Sequence, residues 1–200
     1  KLEPKGHDHY NDPPQWKEKG NTDTSGILTK TYFNSISGNI TITAISERNT
    51  EIRDSKGLKV WVNLAPLGTG TNYILTGAYN QTRCNGTTVT SQHSFNHYGT
   101  DALNKAIINI TNDYATLYPG VRLRINDMSL NEGGLFDIYN NYQPPHESHR
   151  FGRNADIEPA GVNSQGQCVN LDLAKLYQFI RDRTKNPPKD EGNHYHITVK

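Results

Sequence analysis

The spacing of apolar residues changes near residue 100, and this change limits the possible folds more than any other feature of the chain. Before it, apolar and polar residues alternate in short runs separated by Gly, Asn and Asp, as in "NITITAI", "LKVWVNLAPL" and "NYILTGAY". Such alternation is typical of strands with one buried face. It predicts a small antiparallel β-sandwich over residues 26–90, with Trp61, Tyr73 and Leu75 in its core.

Beyond residue 100, the apolar residues repeat at helical spacing. Thr100 or Asp101 is placed to cap a helix through "ALNKAIINITNDYATLY", and Pro119 with Gly120 is placed to end it. The residues predicted on its apolar face are Ala102, Ala106, Ile107, Ile110, Tyr114 and Leu117.

The rest of the second half alternates strands with one more helix. "VRLRINDMSL" and the closing "HYHITVK" read as strands, and "VNLDLAKLYQFIRDRT" reads as a second helix. This order is of the α+β class and predicts a second domain over residues 91–200. Residues 1–25, rich in charge, Pro and Gly, are expected to be a linker or a wrapped arm.

Charge and cysteine content narrow the classes of partner and compartment. The 21 Lys and Arg balance 20 Asp and Glu, so no broad basic field is expected and a nucleic-acid partner is not predicted. No apolar run is long enough to span a bilayer. The polar, Tyr- and Thr-rich composition favours an exported protein in its mature form, whether secreted, periplasmic or cell-surface. Cys84 and Cys168 are either one bridge or two separate thiols.

Four side chains in two short motifs are candidates for chemistry. His194 and His196 project from one face if "HYHITVK" is a strand, because side chains repeat every two residues. His149 and Asp156 are seven residues apart, so they share a face only if the chain turns between them, and Gly152 is suited to that turn. Three ligands of the His, Asp and His type leave an open zinc position, whereas a lone His-x-His pair is more often surface decoration.

The two motifs resemble those of a zinc peptidase superfamily that comprises lysostaphin-type enzymes, D-alanyl-D-alanine peptidases and the hedgehog signalling domain. "HRFGRNADI" is similar to the His-x-x-Gly-x-x-x-Asp-Ile element, and "HYHITVK" to the closing His-x-His strand. The resemblance covers roughly residues 91–200 and implies that fold, an antiparallel sheet with helices. It also implies Zn²⁺ bound by His149, Asp156 and His196, with His194 as an unliganded catalytic histidine.

The resemblance leaves the position of the catalytic acid open. Asn193 stands where the dipeptidases have a catalytic Glu, and Asp190 stands where hedgehog has one, with Glu191 one step closer to the final ligand. Glu191 is therefore the candidate general base, and His194 is its competitor.

Four further residues are candidates for contacts with substrate. Arg150 and Arg153 flank the first motif and are suited to holding a carboxylate, or else are solvated strand residues. His146 and Ser148 are expected at the rim of the same pocket.

The leading hypothesis is a zinc-dependent peptidase that hydrolyses peptide bonds in peptidoglycan stem peptides or cross-links. A second is a hedgehog-like, zinc-containing binding or signalling domain without catalysis. In a third, the module over residues 26–90 binds a glycan or another protein, and Trp16 and Trp61 are the only tryptophans available for stacking on a sugar. The oligomeric state does not follow from the sequence.

Overall fold

The chain folds as an α+β protein with several small sheets. A computed structural model describes residues 2–5, 18–31, 37–78, 81–84, 86, 93, 95–137 and 147–200. The helices are α1 Asp101–Leu117, a 3-10 helix Glu147–Phe151, and α2 Leu173–Thr184. The strands are β1 Leu2–Lys5, β2 Gly38–Ile45, β3 Arg53–Val60, β4 Ala65–Pro66, β5 Tyr73–Leu75, β6 Tyr98–Gly99, β7 Leu123–Ile125, β8 Asn154–Ile157, β9 Ala160–Val162, β10 Cys168–Asn170, β11 Lys189–Asp190 and β12 Tyr195–Thr198.

A five-stranded sheet carries the main core. Its strand order is β11-β12-β8-β7-β5, antiparallel throughout except where β5 runs parallel to β7. Alternate residues of its central strands are buried against the apolar faces of α1 and α2. The sheet residues in this core include Leu123, Ile125, Ala155, Ile157, Tyr195 and Ile197.

Helix α1 confirms the prediction from its capping signals. The Thr100 hydroxyl accepts a hydrogen bond from Leu103 N at 3.3 Å, which satisfies one of the amides left open at a helix start. The buried stripe is shifted from the predicted one, because Ala102 and Leu117 are exposed and Leu103 is buried. The buried residues of the helix are Leu103, Ala106, Ile107, Ile110, Thr111 and Tyr114.

Helix α2 begins later than predicted. Asp172 caps it by accepting from Lys175 N at 3.1 Å, while the three residues before Leu171 pair as β10 with β9. An Asp that offers a cap is a stronger start signal than the apolar residues ahead of it. Neither α1 nor α2, nor any other helix in the described part of the chain, is long and apolar enough to cross a membrane.

The described strands between residues 26 and 90 go to three different sheets, which differs from the predicted sandwich. Strands β2 and β3 form a three-stranded sheet with β1, β4 pairs with β6, and β5 joins the five-stranded sheet. Alternation shows that a strand has one apolar face, but it does not specify which element covers that face.

Of the three residues predicted for the sandwich core, two are packed and one is not. Tyr73 is buried in the main core, and Leu75 packs against it. The prediction for Trp61 is wrong: its side chain is 54% exposed, and Lys59 Nζ lies 5.1 Å from its ring centroid.

The two cysteines form one bridge, which decides between the two alternatives left by the sequence. Cys84 and Cys168 are joined, with their Cα atoms 5.6 Å apart. The bridge links the segment after β5 to β10, so it ties the two halves of the chain together.

Candidate metal centre

The candidate centre lies on the face of the five-stranded sheet opposite the helices. Residues 155 and 157 of β8 and residues 195 and 197 of β12 point into the helix-covered core, so their neighbours point the other way. Asp156 pairs directly with His196, and Asn154 pairs with Thr198. The prediction that "HYHITVK" forms a strand is confirmed, and His196 lies beside Asp156.

His149 reaches the same place from the 3-10 helix rather than from a strand. Gly152, at φ +66°, turns the chain between that helix and β8, as the odd spacing required. A side chain at position 152 would collide with Leu64, since an added Cβ would lie 2.4 Å from Leu64 Cδ2. Ser129 fixes the helix, because its hydroxyl donates to the His149 carbonyl and accepts from Gly152 N.

Together, the three residues form a group that can hold a metal ion. One ligand atom from each of His149, Asp156 and His196 lies within 4.8 Å of the others. His196 Nδ1 is 2.8 Å from Asp156 Oδ1, and His149 Nε2 is 3.5 Å from Asp156 Oδ2. Only 1% of the His149 and Asp156 side chains is exposed, which leaves access from the side of His196, 13% exposed.

The surroundings of the Asp156 carboxylate favour a bound cation. Asp156 Oδ2 is buried and accepts no hydrogen bond among the described residues, although two imidazole nitrogens lie within 3.5 Å of it. A buried oxygen in this state costs free energy that a bound cation would recover. Two imidazoles and one carboxylate are a donor set suited to a transition-metal ion.

Burial and the surrounding imidazoles have opposite effects on the pKa of Asp156. Burial disfavours its ionised form, but the hydrogen bond from His196 and the charges of the three histidines outweigh burial and hold the pKa of Asp156 below its ordinary value. The residue is therefore a carboxylate, the form that binds metal, over the neutral pH range.

His194 and Glu191 form a pair at the open side of the group. His194 Nε2 lies 3.1 Å from Glu191 Oε2 and 3.4 Å from Asp156 Oδ2. Lys189 Nζ donates to Glu191 Oε1 at 2.8 Å. This hydrogen bond is the main reason why the pKa of Glu191 lies below its ordinary value. Both predicted catalytic residues thus lie beside the metal group.

The four residues predicted to contact substrate are less closely connected to it. Ser148 and Arg153 are exposed, and Arg150 is half-buried in the 3-10 helix, where its carbonyl accepts from Gly134 N. His146 lies outside the described residues. Their predicted role in binding substrate stays a prediction.

Several supporting residues were not predicted from the sequence. Asp156 is fixed through its backbone, since its N donates to Asp127 O and its carbonyl accepts from Asn126 N. Burial, and then the charge of Asp156, raises the pKa of Asp127 to about 7. Ser129 belongs to no motif, and Asn154 stands at an unspecified position of the first one. The strand period, which puts residue 154 on the face of residue 156, is the one signal that points to Asn154.

The other two histidines in the described part of the chain are buried and bond to backbone carbonyls. His97 Nε2 donates to Thr76 O at 2.7 Å, and burial lowers the pKa of His97. His93 Nε2 is 2.9 Å from Asp137 O. Neither belongs to the group of three that can hold a metal.

No family model matches the chain, and no curated protein matches it in sequence. The resemblance to zinc peptidases therefore rests on the two sequence motifs alone.

Proposed function

We propose that the protein is a zinc-dependent peptidase that hydrolyses peptide bonds in peptidoglycan stem peptides or cross-links. The observation that supports it best is the buried group of His149, Asp156 and His196 with an imidazole–carboxylate pair, His194 and Glu191, at its open side. A site that only stabilised the fold would be closed by a fourth protein ligand and would not need this pair.

The donor set favours zinc among the common ions. Two imidazole nitrogens and one carboxylate oxygen suit a borderline-soft ion, whereas calcium and magnesium prefer oxygen ligands alone. When bound, zinc would supply Lewis-acid polarisation of a substrate carbonyl and would acidify a water molecule.

We propose different roles for the two candidate bases. Glu191 is held ionised by Lys189, so it is a weak proton acceptor and is better suited to orienting His194. His194 Nε2 lies 3.1 Å from Glu191 Oε2 and 3.4 Å from Asp156 Oδ2, at the open side of the metal group. We therefore assign proton transfer to His194, and the alignment of its ring to Glu191.

Hydrolysis of purified peptidoglycan by metal-loaded protein tests the proposal. The wild type should release new amino groups, and His194→Ala should reduce the rate about 10²–10⁴-fold while still binding one zinc. His149→Ala should lose both zinc and hydrolysis. Glu47→Gln, a change in the exposed ion pair with Lys19, is the control and should match wild type. Full activity in metal-free protein, or no hydrolysis by the zinc-loaded wild type, would contradict the proposal.

A hedgehog-like binding domain without catalysis is the second candidate. It is favoured by the hydrogen bond from Lys189 to Glu191, which lowers the basicity of the candidate general base. Glu191→Gln distinguishes the two: it should slow a peptidase, and it should leave zinc content and partner binding of a pure binding domain unchanged.

We further propose an oxidising location, secreted, periplasmic or cell-surface. The bridge between Cys84 and Cys168 supports it, because such bridges persist mainly outside reducing compartments.

A further inference from the structure

Asn154 lies beside the metal group, at a position of the first motif that the family pattern leaves unspecified. It precedes Asp156 by two residues on β8, so both side chains lie on the same face of the sheet. It pairs across the sheet with Thr198, while Asp156 pairs with His196. Asn154 is therefore the diagonal neighbour of His196.

The amide of Asn154 contacts two side chains of β12. Its Nδ2 lies 3.0 Å from His196 Nε2 and 2.8 Å from Thr198 Oγ1. An amide nitrogen only donates, so His196 Nε2 accepts in this arrangement and the ring proton is on Nδ1. That proton is donated to Asp156 Oδ1, 2.8 Å away.

A metal bound through His196 Nδ1 would require the other neutral tautomer. Nδ1 would give its lone pair to the ion, so the ring proton would move to Nε2, which would then need an acceptor. Rotation of the Asn154 amide by half a turn would put Oδ1 in the place of Nδ2. The Thr198 hydroxyl both donates and accepts, so it can follow the rotation without losing its hydrogen bond.

We propose that Asn154 is a positioning residue for the metal ligand His196, with an amide that holds Nε2 in either tautomer and so keeps Nδ1 directed at the ion. The inference rests on the metal centre of the proposed function, not on hydrolysis. A residue that accepts through oxygen should retain this role, and an apolar residue of the same shape should lose it.

Two substitutions with opposite expected effects test the inference. Asn154→Leu keeps the shape but removes both hydrogen bonds, and it should weaken zinc binding about 10–100-fold. Asn154→Asp offers only acceptors, and it should bind zinc at least as tightly as wild type. Zinc affinity would be measured by competition with a chelating dye, and folding by circular dichroism. Asn112→Leu, the same change on the exposed surface of α1, should have wild-type affinity.

The tautomer of His196 gives a second readout that a merely structural role would not change. Nitrogen-15 shifts of the imidazole in metal-free protein should show a proton on Nδ1 and none on Nε2 in wild type, and a proton on Nε2 as well in Asn154→Asp, because Asp156 Oδ1 still accepts from Nδ1. Asn154→Leu should keep the proton on Nδ1 but change the shift of Nε2, because the lone pair of that nitrogen loses its donor. This measurement needs no metal, so it remains available if a variant binds zinc too weakly to titrate.

Wild-type zinc affinity and an unchanged Nε2 shift in folded Asn154→Leu would overturn the inference. Asn154→Asp binding as weakly as Asn154→Leu would also overturn it, since the acceptor would then have no role. Absence of peptidoglycan hydrolysis by the wild type, with these affinities as expected, would remove the peptidase proposal and support this one.

Discussion

Replacing Asp156 by Asn should destabilise the metal-free protein near neutral pH and should have little effect in strong acid. Asn keeps the shape and one acceptor oxygen, but it removes the charge that the imidazoles of His149, His194 and His196 face within 3.5 Å. Hydrogen bonds to charged groups contribute about 1.5–3 kcal/mol, so we expect a loss of about 2 kcal/mol. For a chain of this length, that loss lowers Tm by about 4–8 °C.

The pH dependence follows from the lowered pKa of Asp156. Folding favours the carboxylate, so its contribution to the free energy of unfolding is complete above the ordinary value of 3.8 and is lost as the pH falls through the lower folded value. The stability difference between wild type and Asp156→Asn should therefore close below about pH 4.

Urea unfolding in the presence of a chelator, repeated across a pH series, measures this difference directly. Asp182→Asn is the matched control, because Asp182 makes an exposed ion pair with Arg181 and its loss should change stability by less than about 0.5 kcal/mol. Equal stability of wild type and Asp156→Asn near neutral pH, or a difference that persists in acid, would refute the account of the carboxylate given above.

Three further predictions concern metal, pH and redox state. Zinc at a hundredfold excess over Kd should stabilise the wild type by about 2.7 kcal/mol and raise Tm by about 5–10 °C in calorimetry, with no rise in His149→Ala. As the pH rises from about 4 to 7, the free energy of unfolding of the wild type should fall by on the order of 4 kcal/mol through Asp127, because the raised pKa lets the folded state keep a proton that the unfolded state has lost. Asp127→Asn should remove this fall. A wild-type urea midpoint that does not fall over this range would contradict the prediction. Cys84→Ser with Cys168→Ser should cost about 4 kcal/mol for a loop of 84 residues, and a double variant as stable as wild type in urea would contradict that estimate.

The features that the sequence predicted well are those with local causes. Helix α1 follows from a capping residue and a stop signal at its two ends, and both lie within the segment itself. The common face of His194 and His196 follows from the two-residue period of a strand, and the approach of His149 to Asp156 follows from the turn at Gly152. These rules act over a few residues, so one sequence is enough to apply them.

The features that could not be predicted from the sequence depend on contacts between distant segments. Strand β5 pairs with β7 across about fifty residues, and nothing within "NYILTGAY" distinguishes that partner from a strand of its own module. Ser129 holds the 3-10 helix that carries His149, yet the strand-like pattern of "VRLRINDMSL" does not mark its hydroxyl for this role. The strand-like neighbours of Trp61 predict a place in a core, but no element covers its ring in the described part of the chain, and more than half of the side chain is exposed.

The direct pairing of Asp156 with His196 makes the site sensitive to insertions and deletions in β12. A shift of one residue would put Tyr195 opposite Asp156 and turn His196 into the apolar core. A shift of two would bring His194 opposite Asp156, but it would also carry Asn193 into the place of Tyr195, against the helices. We therefore expect "NHYHIT" to keep this register after a substitution at an exposed position such as Asn193, and to tolerate no change in length.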